Sequence, residues 1–252
     1  SRSVAIGTFT LNQQNFTTAT NTYNTAVGYN AGGANTTGET NTFLGATAGA
    51  ANTSGNNNSA MGYAALFTNI LSDRNVAIGN NALYSHNQAT SVDSYNVAVG
   101  YDAGSAVTTG VQNTLIGGLA GDALTDADHN VVVGYAALSS DTLGSKSIAI
   151  GHAALQVQNF VTATDAYNVA VGYNAGQQIT TGGANTLIGG LAGDALTVGN
   201  SNVAVGVHAL GADTKGDRNV AIGNSALAAQ DFTTSTDSYN VAVGYAAGSG
   251  IT

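Results

Sequence analysis

The sequence lacks cysteine, proline and tryptophan, and it contains a single methionine. Without cysteine the chain has no disulfide, no thiolate metal ligand and no cysteine nucleophile. Without proline every residue keeps a backbone N–H that can donate to a neighbouring strand, which suits a continuously paired sheet. Eleven tyrosines and six phenylalanines are the only aromatic residues. The core must therefore be built mainly from alanine, valine, isoleucine and leucine.

Charged residues are scarce, at 8% of the chain against roughly 25% in an ordinary soluble domain. Fourteen acidic and five basic residues give a net charge of −9, which repels phosphate backbones and disfavours a nucleic-acid partner. No run approaches the roughly 18 apolar residues of a transmembrane helix, so we expect this segment not to span a membrane. Residues 1–3 show neither an initiator methionine nor a signal-peptide pattern. We expect both ends to be cut from a longer array.

A short motif, Asn-x-Ala-x-Gly in its commonest form, recurs fourteen times. One interval of twenty-one residues between motif glycines is followed by three of seventeen, as from Gly7 through Gly28 to Gly79. This order recurs along the chain, so that four motifs make one super-repeat. A seventeen-residue unit is too short for a propeller blade or a helical pair but suits one coil of a β-solenoid. The sequence therefore predicts an all-β chain in which residues 1–252 form one parallel β-solenoid of about 14 coils.

The residues before each motif glycine have the pattern of a β-strand. The residue directly before it is always apolar, and the residue three before it is β-branched in nearly every copy. The residue four before it is asparagine in twelve copies, so stacked coils bring these amides about 4.8 Å apart, within hydrogen-bonding reach. The glycine itself supplies a sharp bend or a left-handed backbone. The predicted ladder includes Asn24, Asn41, Asn58, Asn75, Asn96 and Asn113, with Gly28, Gly45, Gly62, Gly79, Gly100 and Gly117.

Both faces of this predicted strand are apolar. The residue two before the glycine points away from the face of its neighbours, and it is alanine in ten copies and never polar. A sheet that is apolar on both faces must be covered on both. We expect the solenoid interior to cover one face, and a second copy of the chain to cover the alanine-rich face in a symmetric homo-oligomer.

The strings Ser3-Val-Ala-Ile-Gly7, Asn75-Val-Ala-Ile-Gly79 and Ser147-Ile-Ala-Ile-Gly151 resemble the head repeats of YadA-like trimeric autotransporter adhesins. The seventeen-residue form, as in Asn41-Thr-Phe-Leu-Gly45, is also similar to arrays in phage tail fibres. The resemblance implies a left-handed parallel β-roll assembled as a homotrimer. It further implies an extracellular location, on a cell surface or a virion fibre, and attachment to a host-surface receptor or glycan without enzymatic activity.

Four insertions are the places where the chain leaves its coil at regular intervals. Insertions in solenoids often form the binding face, and these are rich in threonine, asparagine, glutamine and aromatic residues, which suit a sugar or receptor. The alternative is that they shield the edge of the roll or contact a neighbouring chain. The candidate surface-binding residues are Phe16, Tyr23, Gln88, Tyr95, Phe160, Tyr167, Phe232 and Tyr239.

Other polar residues repeat with the array and do not form a unique cluster. Tyrosine directly follows the motif glycine in six coils, which predicts a structural column, with a stacking ladder for glycans as the alternative. The histidines lie at unrelated offsets, and acids recur in equivalent turns, so we predict no catalytic residue, no metal and no cofactor. Four basic residues precede every fourth ladder position, where we predict ion pairs, with an anionic ligand as the alternative: Arg2, Arg74, Lys146 and Arg218.

Two functions other than that of a fibre segment are alternatives for this sequence. A threonine column eight residues after the motif glycine suggests an ice-binding solenoid. A glycan-degrading tailspike enzyme is the second alternative, although its acids should not follow the repeat. The threonines are Thr36, Thr53, Thr108, Thr125, Thr142, Thr180, Thr197, Thr214 and Thr252.

Overall fold

The computed structural model describes residues 2–251, so that Thr252 of the threonine column lies outside the described residues. Over this range the chain is all-β and has no helix, and it folds as a parallel β-solenoid of fourteen coils. The coils belong to two compact units that divide between Ala127 and Asp128. Each unit contains seven coils. The prediction of an all-β parallel solenoid is confirmed.

In the first unit a strand of three residues ends directly before each motif glycine. Each strand pairs in parallel with the next strand along the chain, and Ala5, Ala26 and Phe43 are successive register partners. Each motif therefore lies directly on the one before it, because the repeat spacing equals one turn. The strands are β1 (Val4–Ile6), β2 (Thr25–Val27), β3 (Thr42–Leu44), β4 (Ser59–Met61), β5 (Val76–Ile78), β6 (Val97–Val99) and β7 (Thr114–Ile116).

The second unit repeats this arrangement and adds four strands of two residues, two in its insertions and two in the coils on which these insertions lie. Seven main strands pair in parallel from β8 to β18, and the short strands pair as β9 with β11 and β15 with β17. The strands are β8 (Val131–Val133), β9 (Gly144–Ser145), β10 (Ile148–Ile150), β11 (Thr164–Asp165), β12 (Val169–Val171), β13 (Thr186–Ile188), β14 (Val203–Val205), β15 (Gly216–Asp217), β16 (Val220–Ile222), β17 (Thr236–Asp237) and β18 (Val241–Val243).

The alanine-rich side of the strands is the interior of the coil. Ala26, Ala77 and Phe43 are completely buried, whereas the neighbouring Leu44 and Met61 are 41% and 43% exposed. The prediction that the small-residue face packs against a second chain is therefore wrong. The reason is interior volume, because the strand and the turn share the space inside so short a coil, and in most coils that space admits only alanine at the inward strand position.

Interior volume is shared between the strand and the turn that follows it. Where the strand carries a bulky inward residue, as at Phe43 or Leu115, the turn residue four after the motif glycine is itself glycine. A Cβ on Gly49 would lie 2.2 Å from Phe43 Cε1, and a Cβ on Gly121 would lie 2.9 Å from Leu115 Cδ2. Where the strand carries alanine, leucine such as Leu66 usually fills the turn. The core is thus packed by exchanging volume between two positions of the coil.

The ladder asparagines are buried and linked from coil to coil. Asn41 Nδ2 donates to the backbone oxygen of Gly55 at 2.7 Å, and Asn41 Oδ1 accepts from the backbone N–H of Asn58 at 2.9 Å. Asn58 repeats both bonds with Ser72 and Asn75. Each amide thus satisfies a corner carbonyl and an N–H of the next coil, which removes the cost of burying them. Asn24 and Asn96 make both bonds as well, and Asn113 Nδ2 donates to the backbone oxygen of Ala127. At Asn75 the amide oxygen accepts from the N–H of Asn96, whereas Nδ2 donates to the backbone oxygen of Asp73 in its own coil at 3.2 Å.

Stacking itself requires the motif glycine. Gly28 has φ 134°, and a Cβ on it would lie 2.5 Å from the backbone oxygen of Gly45 on the next coil. No side chain fits such a gap between coils. The same left-handed φ, between 130° and 146°, recurs at Gly28, Gly45, Gly62, Gly79, Gly100 and Gly117.

Three further positions of each coil lie in the left-handed region, at φ near +55°. They are the residues two and four after the motif glycine, such as Thr47 and Leu66, and the residue directly before the ladder position, such as Arg74. These left-handed residues turn the chain at the corners of the coil. We call the last set the corner column: Tyr23, Thr40, Asn57, Arg74, Tyr95 and Gln112 in the first unit, and His129, Lys146, Tyr167, Ala184, Ser201, Arg218 and Tyr239 in the second.

Candidate functional site

The insertions are anchored by buried polar side chains that the sequence analysis missed. Asp213 Oδ2 accepts from Gln230 Nε2 at 2.6 Å, and Asp213 Oδ1 accepts from the N–H of Phe232 at 3.2 Å, where the insertion begins. Asp141 holds Gln158 and the N–H of Phe160 in the same way. These residues lie seven after a motif glycine. A comparison of coils at the period of the super-repeat, rather than from each coil to the next, could have found them.

The first half of each insertion packs onto the coil. Phe160 is only 8% exposed, and a Cβ on Gly144 would lie 2.9 Å from its ring. Phe160 is therefore not available at the surface, contrary to the prediction that it contributes to a surface-binding insertion. Phe16 and Phe232 are half-buried. Gln88 Nε2 donates to the backbone oxygen of Thr109 at 2.6 Å, so this side chain is also partly engaged by its own chain.

The second half of each insertion ends in an exposed tyrosine beside a cation. In the corner column Tyr95 follows Arg74 by one coil, and the guanidinium lies 5.5 Å from the ring centroid. Arg74 also pairs with Asp93 of the same insertion, so the ion pair closes the insertion onto the coil beneath it. Equivalent cation–tyrosine pairs are Arg2 with Tyr23, Lys146 with Tyr167 and Arg218 with Tyr239.

Charges in these clusters are satisfied within the chain. Lys146 Nζ lies 2.5 Å from Asp165 Oδ2, and this hydrogen bond lowers the pKa of the Asp165 carboxyl and raises the pKa of the Lys146 ammonium. Arg218 pairs with Asp237 in the same manner. The predicted ion pairs are thus present at three of the four cations. Because both partners are exposed, water and salt screen these pairs strongly.

One histidine is buried, at a position where the equivalent coils have glutamine. His86 Nε2 lies 3.1 Å from Ser94 Oγ, and its Nδ1 makes no hydrogen bond. Burial lowers the pKa of His86 to about 4, so the ring is neutral at pH 7. Among residues 2–251 there is no group of three histidine, aspartate or glutamate side chains that could hold a metal ion.

The tyrosines that follow the motif glycines form an exposed column. In the second unit the rings of Tyr135, His152 and Tyr173 stack on three successive coils, with centroids 5.7 and 5.3 Å apart. Their faces are turned toward one another, so the stack presents ring edges to solvent. This arrangement favours the structural column over a ladder of open faces for glycans.

The residues one and three before each motif glycine form the outer strand face. In the first unit this face includes Ile6, Leu44 and Ile78, which are 60%, 41% and 36% exposed. In the second unit Ile188 and Val243 are 40% and 66% exposed. The column of tyrosines borders it. The residue three before the glycine is threonine or serine in five coils, but the residue directly before it is apolar in every coil. Each unit therefore carries one continuous apolar column on its surface, and such surfaces mark interaction sites.

Acidic residues outside the clusters do not form a catalytic arrangement. Partial burial raises the pKa of Asp122 and of Asp194, which occupy equivalent turns of two successive super-repeats. The pKa of Asp122 is raised further by the charge of Asp102. Such repetition is expected of turn residues rather than of an acid and a base with different roles.

Within residues 2–251 the structure has no helix that could cross a membrane. Comparisons of the sequence with protein-family models and with curated proteins, and a comparison with solved structures, gave no match.

Proposed function

We propose that this chain is a non-enzymatic segment of an extracellular fibre, of the kind found in adhesin heads or phage tail fibres, which attaches to a cell surface. The observation that carries the proposal is the combination of a regular solenoid with insertions that recur once in every super-repeat. Repetition places similar polar surfaces along each unit, which favours multivalent attachment. The resemblance to YadA-like heads and tail-fibre arrays supports the same function.

The partner for assembly is a second and third copy of the chain, in a homotrimer of left-handed β-rolls. The outer strand face is the contact surface, because its continuous apolar column, directly before the motif glycines, has no covering layer from the same unit. In this arrangement Ile78 and Val99 contact the neighbouring copies across the interface. Ala77 and Ala98 are buried inside the coil and do not take part. Burying such a column contributes about 25 cal/mol for each Å² removed from water.

No specific observation favours ice binding. The threonine hydroxyls that motivated it donate to the next coil, as when Thr36 Oγ1 donates to the backbone oxygen of Thr53 at 3.0 Å and Thr180 Oγ1 to that of Thr197 at 3.1 Å. These hydroxyls serve the solenoid rather than an ordered water layer. The glycan-degrading alternative has no support from the acids, which follow the repeat.

Attachment is tested with fluorescently labelled protein and a panel of intact bacterial and epithelial cells. We expect saturable binding to at least one cell type, displaced by an excess of unlabelled protein. Failure to bind any cell surface as the assembled oligomer would contradict the attachment function. A panel of surface polysaccharides should remain undegraded during the same incubation, and depolymerisation would contradict the non-enzymatic character.

A further inference from the structure

A polar groove follows the corner column of the first unit, between the first insertion and the second. Its volume is about 580 Å³, which is in the range of small-molecule sites. Residues of three successive coils line it, just before the ladder asparagines Asn41, Asn58 and Asn75, together with Ser91 of the second insertion. Hydroxyl, amide and charged side chains dominate its lining, which includes Glu39, Thr40, Ser54, Asn57, Asp73 and Arg74.

One part of the groove is a fixed frame. Asp73 Oδ1 accepts from the N–H of Asn56 at 2.6 Å, and Asp73 Oδ2 accepts from Ser91 Oγ at 3.2 Å. Arg74 is engaged by Asp93 and lies against the Tyr95 ring. These contacts join the insertion to the coils, and they leave no net positive charge at this end of the groove.

Another part of the lining is free to bind. The Glu39 carboxylate, Ser54 Oγ and Asn57 Nδ2 make no hydrogen bond to any of the described residues, although the Glu39 backbone N–H donates to Asn56 Oδ1 and Asn57 Oδ1 accepts from Thr40 Oγ1. The groove therefore offers a carboxylate acceptor, a hydroxyl and an amide donor on neighbouring coils. Such a set matches vicinal hydroxyl groups, which both donate and accept.

Charge decides which hydroxyl-rich ligand fits. The free carboxylate of Glu39 and the ion-paired Arg74 leave the groove negative, and the whole chain has a net charge of −9. An anionic sugar would be repelled. We propose that the groove binds an uncharged oligosaccharide, a proposal that rests on the attachment function and names its ligand class.

The second unit supplies a natural comparison. At the equivalent positions two super-repeats later the frame persists as Asp217 and Arg218, and Asp217 accepts from the N–H of Asn200 and from Ser235. The groups that are free to bind are not present in the second unit. Gly183 occupies the position of Glu39, and Val198 occupies the position of Ser54. The frame belongs to the architecture of both units, whereas the free groups are specific to the first groove. Likewise, Ser201 occupies the position equivalent to Asn57, and Ala184 occupies the position equivalent to Thr40.

The test is saturation-transfer difference NMR and titration calorimetry with N,N′-diacetylchitobiose, lactose and maltose as uncharged probes and 3′-sialyllactose as the anionic probe. We expect binding of at least one uncharged disaccharide, and at least tenfold weaker binding of 3′-sialyllactose. Glu39→Gly and Asn57→Ser introduce the residues of the second unit, so both variants should fold. Each variant should lower the affinity for the uncharged disaccharide at least fivefold. Glu39→Gln should lower this affinity less than Glu39→Gly does, and Ser201→Ala, the control in the second unit, should leave the affinity unchanged.

Several results would overturn the proposal: no transfer from any uncharged disaccharide, equal binding by Glu39→Gly and the native chain, or preference for 3′-sialyllactose. Cell attachment of the same samples separates this inference from the proposed function. If the native protein attaches to cells and Glu39→Gly attaches equally well, the groove is not the ligand site but the attachment function stands. If uncharged sugars bind but the native protein attaches to no cell, the groove stands and the attachment function fails.

Discussion

The Phe43 ring occupies the space that a side chain on Gly49 would need, since a Cβ at Gly49 would lie only 2.2 Å from Phe43 Cε1. One coil later the arrangement is reversed, with Ala60 on the strand and Leu66 in the turn, both buried. The two positions therefore share one volume, and neither can be changed independently of the other.

This relationship predicts a strong coupling between Phe43→Ala and Gly49→Leu. Phe43→Ala alone leaves a cavity and should lower the free energy of unfolding by about 3–5 kcal/mol, and Gly49→Leu alone overpacks the coil. The double variant reproduces the neighbouring coil, where Leu66 tolerates a φ of 52°. We expect a favourable coupling of at least about 2 kcal/mol in a double-mutant cycle measured by urea unfolding. Additive effects would show that the two positions do not share volume.

Thr47 has φ 58°, a conformation that is strained for a β-branched residue. Asparagine, which tolerates the left-handed region, occupies this position in other coils as Asn30, Asn81 and Asn174, with φ between 53° and 55°. Thr47→Asn should therefore stabilise the chain by about 1 kcal/mol. Thr47→Val serves as the matched control, because it keeps the strain and loses the hydrogen bond to the backbone oxygen of Ala46. A Thr47→Asn variant that melts at a lower temperature than the native chain would contradict this account of the corner.

His86 should make the stability of the first unit depend on pH. Its pKa is about 4 in the folded chain and about 6.5 in the unfolded chain, so between these values the unfolded state binds a proton that the folded state does not. Stability is therefore complete above pH 6.5 and falls as the pH is lowered toward 4. Between pH 7 and pH 5 the expected loss is about 2 kcal/mol.

His86→Gln introduces the residue that the equivalent coils have. It should remove the loss of unfolding free energy between pH 7 and pH 5 that His86 causes, as measured by urea unfolding at both pH values. The exposed His152→Gln is the matched control and should leave the native difference between pH 7 and pH 5 in place. If His86→Gln keeps the same difference as the native chain, burial of the imidazole is not its cause.

Much of the fold can be predicted from the sequence, because a regular short period with asparagine and glycine at fixed offsets determines strand, turn and stacking together. The side of the strand that faces inward could not be predicted in this way. Ala26 and Val27 are both apolar, and an alternating pattern distinguishes two faces without saying which is enclosed. The interior volume decides, because the strand shares it with turn residues such as Leu66, and the alternating pattern does not give that volume.

The side-chain contacts that anchor the insertions also could not be predicted from the sequence of any single coil. Asp141 and Gln158 contact each other only because they are inward positions of adjacent coils, and most other coils have different residues there. The groove at Glu39 and Asn57 likewise depends on side chains from three coils. Such contacts follow from stacking rather than from any local motif.

Self-association through the outer strand face is the central claim, and light scattering coupled to size exclusion at micromolar concentration tests it most directly. The native chain should have about three times its mass of 24.9 kDa. The double variant Ile78→Glu and Ile116→Glu places two charges on the outer strand face and should give a folded monomer. The control variant Asn12→Glu and Gln13→Glu places the same charges at exposed turn positions and should remain trimeric. A native chain with the mass of a monomer, or a trimer that survives both glutamates on the outer strand face, would contradict the claim.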